Sequence, residues 1–310
     1  MPQPSIHEPA ASEAHGHPSS PLSTGALEER RVAPERVRAL LRLEEGLQGR
    51  LDRRPLLYGA LIAAAVFVAA LLVGTLLGRT VAVVAGRNDL RGTIGALGID
   101  LVGTACVAGV LWRLGWWREM GFAGPSTWRS LRLLAFPALL ALVAVVGGII
   151  SLDLSDPARL ALSLPQPFLT GFWEEGLTRG LLLSLLLVAA LRAGRGPIAA
   201  VLISAVVFGL LHLVGVLGDR ELTPVLAQVV TATLLGIGFG ALALRTNALW
   251  LLAGLHALGN LGPTALRGKN DSGNFDNIFL LYVLLLAVYG LFLLRRIKSG
   301  DQAAVVVRPE

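Results

Sequence analysis

The sequence has little charge and almost no cysteine. Only 15% of its 310 residues are charged, 54% are hydrophobic, and the mean hydropathy is +0.66; a typical soluble domain carries about 25% charge. The single cysteine, Cys106, excludes an internal disulfide and a multi-cysteine metal site. The net charge of +6 comes from arginines that flank apolar runs and form no basic groove, so nucleic acid is excluded as a partner. These features indicate an integral membrane protein.

Long apolar runs predict an all-α fold, a polytopic bundle of about eight transmembrane helices. About 20 helical residues cross the ~30 Å hydrocarbon layer of a bilayer at 1.5 Å per residue. The runs are too long and too continuous to be the strands of a membrane barrel. The predicted spans are 56–78, 94–115, 131–151, 167–191, 197–217, 223–244, 247–266 and 277–295.

The segments outside the bundle, which covers 56–298, differ in composition. We expect residues 1–28 to be a disordered tail, because they are rich in Pro, Ser, Ala and His and lack apolar periodicity. Residues 29–55 fit a basic juxtamembrane helix on the membrane surface and equally a solvated charged helix, and residues 299–310 form a C-terminal tail. Arginine and lysine are more frequent on the side that carries both termini, which predicts cytoplasmic termini in the cell (inner) membrane.

Two glycine pairs, Gly74 with Gly78 and Gly236 with Gly240, have the four-residue spacing found where membrane helices approach closely. The chain has 36 glycines, so such pairs also arise by chance. Packing within the bundle is the favoured interpretation, and a dimer contact is the alternative.

Three charges interrupt the fourth predicted span in the stretch FWEEGLTRG. Ionisable groups at membrane depth are costly and usually face a bundle interior or a wet cavity. Glu175 and Arg179 are four residues apart, so they share a helix face and can neutralise each other. Glu174 is rotated by about 100° from Glu175 and therefore has no partner in its own helix.

The two histidines outside the N-terminal tail also lie in predicted spans. His212 follows Phe208 by four residues, and His256 precedes Asn260 by four, so each pair shares a helix face. Each group alone fits a structural role, and for Asp100 an interhelical hydrogen bond is the expected one. Taken together, a carboxylate, two imidazoles and an amide can hydrolyse an amide bond.

These motifs resemble those of one known family. The chain carries E-E-x-x-x-R, F-x-x-x-H and H-x-x-x-N in this order, in successive membrane segments over about 160–262. In these motifs it resembles the CPBP family, which comprises the type II CAAX prenyl endopeptidases and their bacteriocin-processing and self-immunity relatives. The resemblance implies an intramembrane glutamic endopeptidase without a cofactor. Its implied catalytic residues are Glu174, His212, His256 and Asn260, and its implied supporting residues are Glu175, Arg179 and Phe208.

The resemblance also implies a role for each residue. Glu174 would deprotonate a water held by His212, and His256 with Asn260 would donate hydrogen bonds to the oxyanion. Arg179 would neutralise Glu175, so that the two adjacent carboxylates do not compete for one proton. The substrate would be a membrane-associated or CAAX-like protein or peptide.

Two alternatives remain open at this point. In the first, zinc is bound by His212, His256 and Glu174. That arrangement uses the carboxylate as a ligand, and no H-E-x-x-H motif supplies a second one as the base, so a metal-free site is favoured. In the second alternative the chain is a non-catalytic scaffold or transporter whose buried polar groups hold helices together or line a path.

Overall fold

A computed structural model describes residues 49–50, 53–117, 120–122, 128–150, 154–193, 195–218, 221–261 and 274–295. Every regular element among these residues is helical, which confirms the predicted all-α class. The tails predicted at 1–28 and 299–310, and nearly all of the juxtamembrane helix at 29–55, lie outside the described residues.

Ten helices form the described part of the bundle. They are α1 (Pro55–Val84), α2 (Arg91–Leu114), α3 (Ala135–Ile150), α4 (Pro157–Ser163), α5 (Gln166–Glu175), α6 (Leu183–Arg192), α7 (Pro197–Leu211), α8 (Leu222–Thr246), α9 (Leu249–Asn260) and α10 (Asn274–Arg295). A π-helical segment, Gly176–Leu182, joins α5 to α6, and another, Ala70–Gly74, lies within α1. Short 3₁₀ helices cover Asn88–Leu90, Trp128–Leu134 and His212–Gly218.

Within the described residues, each of the eight predicted spans overlaps a helix or a continuous helical stretch. The seventh, 247–266, is matched only by the 12-residue helix α9; residues 262–266, and residue 151 at the end of the third span, lie outside the described part. Four of the described helical stretches are long and apolar enough to cross a bilayer, namely Pro55–Val84, Asn88–Leu114, Pro197–Val216 and Leu222–Thr246. Two shorter apolar stretches, Ser130–Val146 and Phe279–Arg295, accompany them. The chain is therefore an integral membrane protein.

Both glycine pairs lie at contacts between helices of the same chain. A Cβ atom on Gly74 or Gly78 would come within 2.5–2.6 Å of backbone atoms of α2. A Cβ atom on Gly236 or Gly240 would come within 2.8–2.9 Å of α7 atoms. Because the absent Cβ lets backbones approach, these glycines set the distances of α1 from α2 and of α8 from α7, which confirms packing within the bundle.

The position of α5 determines where the charged stretch lies. Pro167 occupies the first turn of α5, where its missing N–H costs no helical hydrogen bond. Gly171 lies against the carbonyl oxygen of Ala253 on α9, and a Cβ atom at this position would overlap that oxygen. The end of α5 that carries the two glutamates is therefore held close to the histidine of α9.

Candidate active site

The two adjacent glutamates at the end of α5 have different environments. The side chain of Glu174 is 15% exposed, whereas that of Glu175 is completely buried. Directly after them the chain changes from α-helix to the π-helical segment Gly176–Leu182. Single π-helical turns within α-helices occur frequently at functional sites.

Glu175 connects two helices through one oxygen atom. Its Oε1 forms an ion pair with Arg179 Nη1 at 3.0 Å and accepts a hydrogen bond from His256 Nδ1 at 2.8 Å. The predicted pair of Glu175 and Arg179 is thus present, and it includes a histidine 81 positions away in the sequence. The second contact fixes the ring of His256, because a carboxylate holds Nδ1 and directs Nε2 away from Glu175.

Arg179 is fully buried, and its guanidinium group contacts an aromatic ring and a hydroxyl group as well as Glu175. Its guanidinium carbon lies 4.3 Å from the centroid of the Phe208 ring, which is the geometry of a cation–π contact. Its Nη1 also donates to Thr178 Oγ1 at 2.6 Å, and that hydroxyl donates to the carbonyl oxygen of Glu174 at 2.5 Å. Phe208, predicted as a supporting residue, thus contacts the charge that neutralises Glu175.

Glu174 faces open space. Its Oε2 lies 3.7 Å from His256 Nε2, which is longer than a hydrogen bond. Glu174 lines two adjoining cavities of about 350 and about 410 Å³. The second cavity is also lined by His212, His256 and Asn260, so all four predicted catalytic residues border one space.

His212 has a defined tautomer. Its Nδ1 lies 3.0 Å from the carbonyl oxygen of Phe208, and because a carbonyl can only accept, Nδ1 carries the proton. In the neutral ring Nε2 is then an acceptor, and His212 lines both cavities. The ring also meets the Phe208 ring edge-on, with the centroids 5.1 Å apart.

The position of His212 differs slightly from its predicted place within a continuous span. The α-helix α7 ends at Leu211, and His212 is the first residue of the 3₁₀ helix His212–Gly218. The apolar run continues to residue 217, so hydropathy alone gives no signal for the change of helix type.

Several cavity-lining polar residues were not predicted as site residues. Gln166 and Thr170 of α5 line both cavities, and Asp100 of α2 lines the smaller one. Asp100 Oδ1 accepts hydrogen bonds from Thr170 Oγ1 at 2.8 Å and from Trp173 Nε1 at 3.0 Å. This confirms the expected interhelical hydrogen bond of Asp100.

The zinc alternative requires three ligands that converge on one point at about 2.0–2.2 Å. Both histidines hold Nδ1 to an acceptor and leave Nε2 available, as zinc ligands do. Within the described ranges, however, no group of three or more His, Cys, Asp or Glu side chains is arranged to hold a metal ion.

The chain is a helical membrane protein in which a carboxylate and two histidines line a cavity between the helices. Residues 156–262 match a family model, described as type II CAAX prenyl endopeptidase Rce1-like. The match confirms the resemblance inferred from the three motifs and covers nearly the same residues. No curated protein and no solved structure matches the chain significantly. The family match supports the assignment of the chain as a CAAX-type intramembrane protease.

Proposed function

We propose that the protein is an intramembrane glutamic endopeptidase that hydrolyses a peptide bond of a membrane-associated or CAAX-like substrate. The observation that carries this proposal is the difference between the two adjacent glutamates. Glu175 is completely buried and contacts Arg179 and His256. Glu174 instead lines a cavity together with His212, whose Nε2 is an acceptor. One carboxylate is thus free to exchange a proton with a water molecule or a substrate.

The first chemical step is activation of water. A water between Glu174 and His212 can donate one hydrogen bond to the carboxylate and one to Nε2 of the imidazole. Transfer of the first proton to Glu174 leaves hydroxide, which attacks the scissile carbonyl carbon. Glu174 then returns this proton to the departing amine nitrogen, so that one residue serves as base and acid in turn.

Attack creates a negative charge on the carbonyl oxygen, and His256 with Asn260 stabilises it. His256 donates through Nδ1 to Glu175, so donation through Nε2 as well requires the imidazolium form. An imidazolium balances the cluster, because the side chains of Glu174 and Glu175 are then matched by those of Arg179 and His256. One donor to such an oxyanion contributes about 3–4 kcal/mol to catalysis.

The supporting residues act through His256. Arg179 compensates the charge of Glu175 in a water-poor interior, where an unpaired carboxylate is expensive. Phe208 lies against Arg179 and against the ring of His256, whose centroid is 6.3 Å away. We therefore assign Glu175, Arg179 and Phe208 to the positioning of the oxyanion donor.

A cleavage assay with the purified full-length chain in liposomes tests the proposal. Peptides from a membrane-protein digest and lipid-anchored peptides ending in a CAAX sequence serve as substrates, and mass spectrometry identifies new termini. We expect cleavage within the membrane-associated part of some substrates, and none with liposomes alone. An inactive but folded protein would favour the scaffold or transporter alternative.

Metal dependence is tested in the same assay. We expect activity to survive prolonged treatment with a strong chelator, and the purified protein to contain no stoichiometric zinc. Loss of activity on chelation, with recovery on addition of one equivalent of zinc, would show that a metal ion activates the water.

A further inference from the structure

In the described part of the bundle, only one oxygen of the Asp100 carboxylate accepts hydrogen bonds. The residue is 7% exposed, and its Oδ1 accepts both interhelical hydrogen bonds, from Thr170 and from Trp173. The other oxygen, Oδ2, has no hydrogen-bond partner among the residues that the structure describes, and it is not sealed inside the protein. A carboxylate oxygen at membrane depth that receives no hydrogen bond from the described protein needs a donor in the cavity that it faces.

The smaller cavity, of about 350 Å³, begins at Glu174 and has Asp100 in its wall. Its walls come from α1, α2, α5, the start of the π-helical segment, α7, the 3₁₀ helix His212–Gly218 and α8. The side of the cavity next to Asp100 is mainly apolar and includes Phe67, Leu71 and Ile99. The cavity therefore combines room for an apolar side chain with one carboxylate oxygen that requires a donor.

Gln166 places a second acceptor at the same cavity. Its Nε2 donates to the carbonyl oxygens of Thr93 and Leu162, both at 3.1 Å. Because these carbonyls can only accept, the orientation of the amide is fixed and Oε1 is left as an acceptor. No donor to Oε1 is found in the described part of the chain, and Gln166 lines both cavities.

We propose that Asp100 and Gln166 form a substrate-recognition subsite of the endopeptidase. The subsite accepts hydrogen bonds from backbone N–H groups of an extended substrate segment, while the apolar walls hold the side chain of one residue beside the scissile bond. A peptide that enters a water-poor site must satisfy its N–H groups there, since water does not. Both groups are acceptors, which matches N–H donors.

The subsite also excludes one class of substrate. An Asp or Glu side chain in the cavity would meet the carboxylate of Asp100 without solvent, and like charges in contact cost several kcal/mol in recognition. The enzyme should therefore cleave segments with a neutral, mainly apolar residue at this position and discriminate against acidic ones. This inference rests on the proposed function.

Asp100→Asn tests the subsite without removing the interhelical hydrogen bonds. The asparagine oxygen still accepts from Thr170 and Trp173, while its NH₂ group now presents donors to the cavity. Two peptides that differ only in Gln against Glu at the discriminating position are compared, after a peptide library has located that position. We expect the preference of the wild type for Gln over Glu to fall by about tenfold or more in the variant.

The ratio of the cleavage rates of the Gln and Glu peptides separates recognition in the subsite from general effects on catalysis. A change at Asp100 also alters the electrostatic field at Glu174, but that change acts on both peptides and cancels in the ratio. Trp173→Phe is the matched control, because it removes a hydrogen bond to Asp100 and keeps the charge of Asp100 in the cavity. Trp173 also lines this cavity, but Gln and Glu have nearly the same size, so the altered wall affects both peptides alike. We expect reduced thermal stability and an unchanged Gln/Glu ratio for this control.

Ala96→Leu provides a second test that leaves the polar groups intact. Ala96 lines the same cavity one helical turn before Asp100, so a leucine occupies part of its volume. We expect large residues at the discriminating position to lose at least about tenfold relative to alanine there. An unchanged preference in both variants, with cleavage intact, would overturn the subsite. A wild-type protein that cleaves nothing would instead overturn the proposed function.

Discussion

At the scale of single residues, the site depends on unequal use of two neighbouring carboxylates. Glu175 is completely buried and contacts Arg179 and His256, whereas Glu174 faces the cavity and can contact water or substrate. The rotation of about 100° between consecutive helical residues produces this separation. The E-E-x-x-x-R motif thus supplies the proposed base, Glu174, and also Glu175, which positions His256.

The charge pair predicts a specific pattern of stability. Arg179→Met removes one of the two groups that face the buried Glu175 carboxylate and leaves the cluster with one cation too few. Loss of one partner from a buried charge pair costs about 3–5 kcal/mol. The double variant Arg179→Met with Glu175→Gln removes both charges and should recover part of that loss. Thermal unfolding in detergent measures both variants, and Arg91→Met, at an exposed arginine, is the control.

Recovery in the double variant is the decisive result for this pair. If the double variant unfolds at the same temperature as Arg179→Met alone, then Arg179 has another function, such as a contact with substrate.

The local part of the site could be predicted from the sequence, and the remote part could not. Helical spacing alone paired Glu175 with Arg179 and His256 with Asn260. The hydrogen bond between Glu175 and His256 depends on how α5 packs against α9, which no local pattern encodes. Gln166 and Thr170 gave no signal, because uncharged polar residues near a helix end are common in any membrane segment.

At the scale of helices, the site lies where regular geometry changes. The π-helical segment Gly176–Leu182 follows the glutamates, and the 3₁₀ helix His212–Gly218 begins at the histidine. The 3₁₀ helix keeps the apolar composition of α7, whereas the π-helical segment contains Thr178 and Arg179 within an otherwise apolar run. Hydropathy therefore predicted the extent of these helices correctly and carried no information on their hydrogen-bond pattern.

The close contact between α5 and α9 predicts the effect of a single methyl group. Gly171→Ala places Cβ onto the carbonyl oxygen of Ala253, so the helices must separate and the bond between Glu175 and His256 must lengthen. We expect a loss of cleavage activity of at least about tenfold, as for small displacements of catalytic groups, together with a lower unfolding temperature.

Gly254→Ala is the matched control on α9. A Cβ atom at this position meets nothing within 4 Å, and alanine favours a helix over glycine by about 1 kcal/mol. The control should keep activity and stability. Equal losses in both variants would show that the distance between α5 and α9 is not the cause.

At the scale of the whole molecule, the predicted topology determines the depth of the site. With both termini in the cytoplasm, the stretch from Gln166 to Arg192 runs from the outer to the inner surface. Glu174 then lies about 12 Å along the helix axis from Gln166, which places the proposed base in the outer half of the membrane. Such a site suits exported or membrane-embedded substrates.

Cysteine labelling at the two ends of this stretch tests the topology. Arg159 and Arg195 are exposed and lie before α5 and after α6. In a Cys106→Ala background, we expect Arg159→Cys to react with an impermeant reagent added outside the cell. Arg195→Cys should react only after the membrane is permeabilised. Reaction of both from the same side would overturn the predicted helix count.

The cleavage rate of Glu174→Gln tests whether Glu174 is the base that activates water. Glutamine keeps the volume of the side chain and removes its ability to take a proton from water. In liposomes, with a substrate that the wild type cleaves, we expect the single-turnover rate to fall by about 10²–10⁴-fold, with an unchanged unfolding temperature. Glu221→Gln, at an exposed glutamate, should retain the full rate. A folded Glu174→Gln protein that cleaves at nearly the wild-type rate would show that Glu174 is not the base.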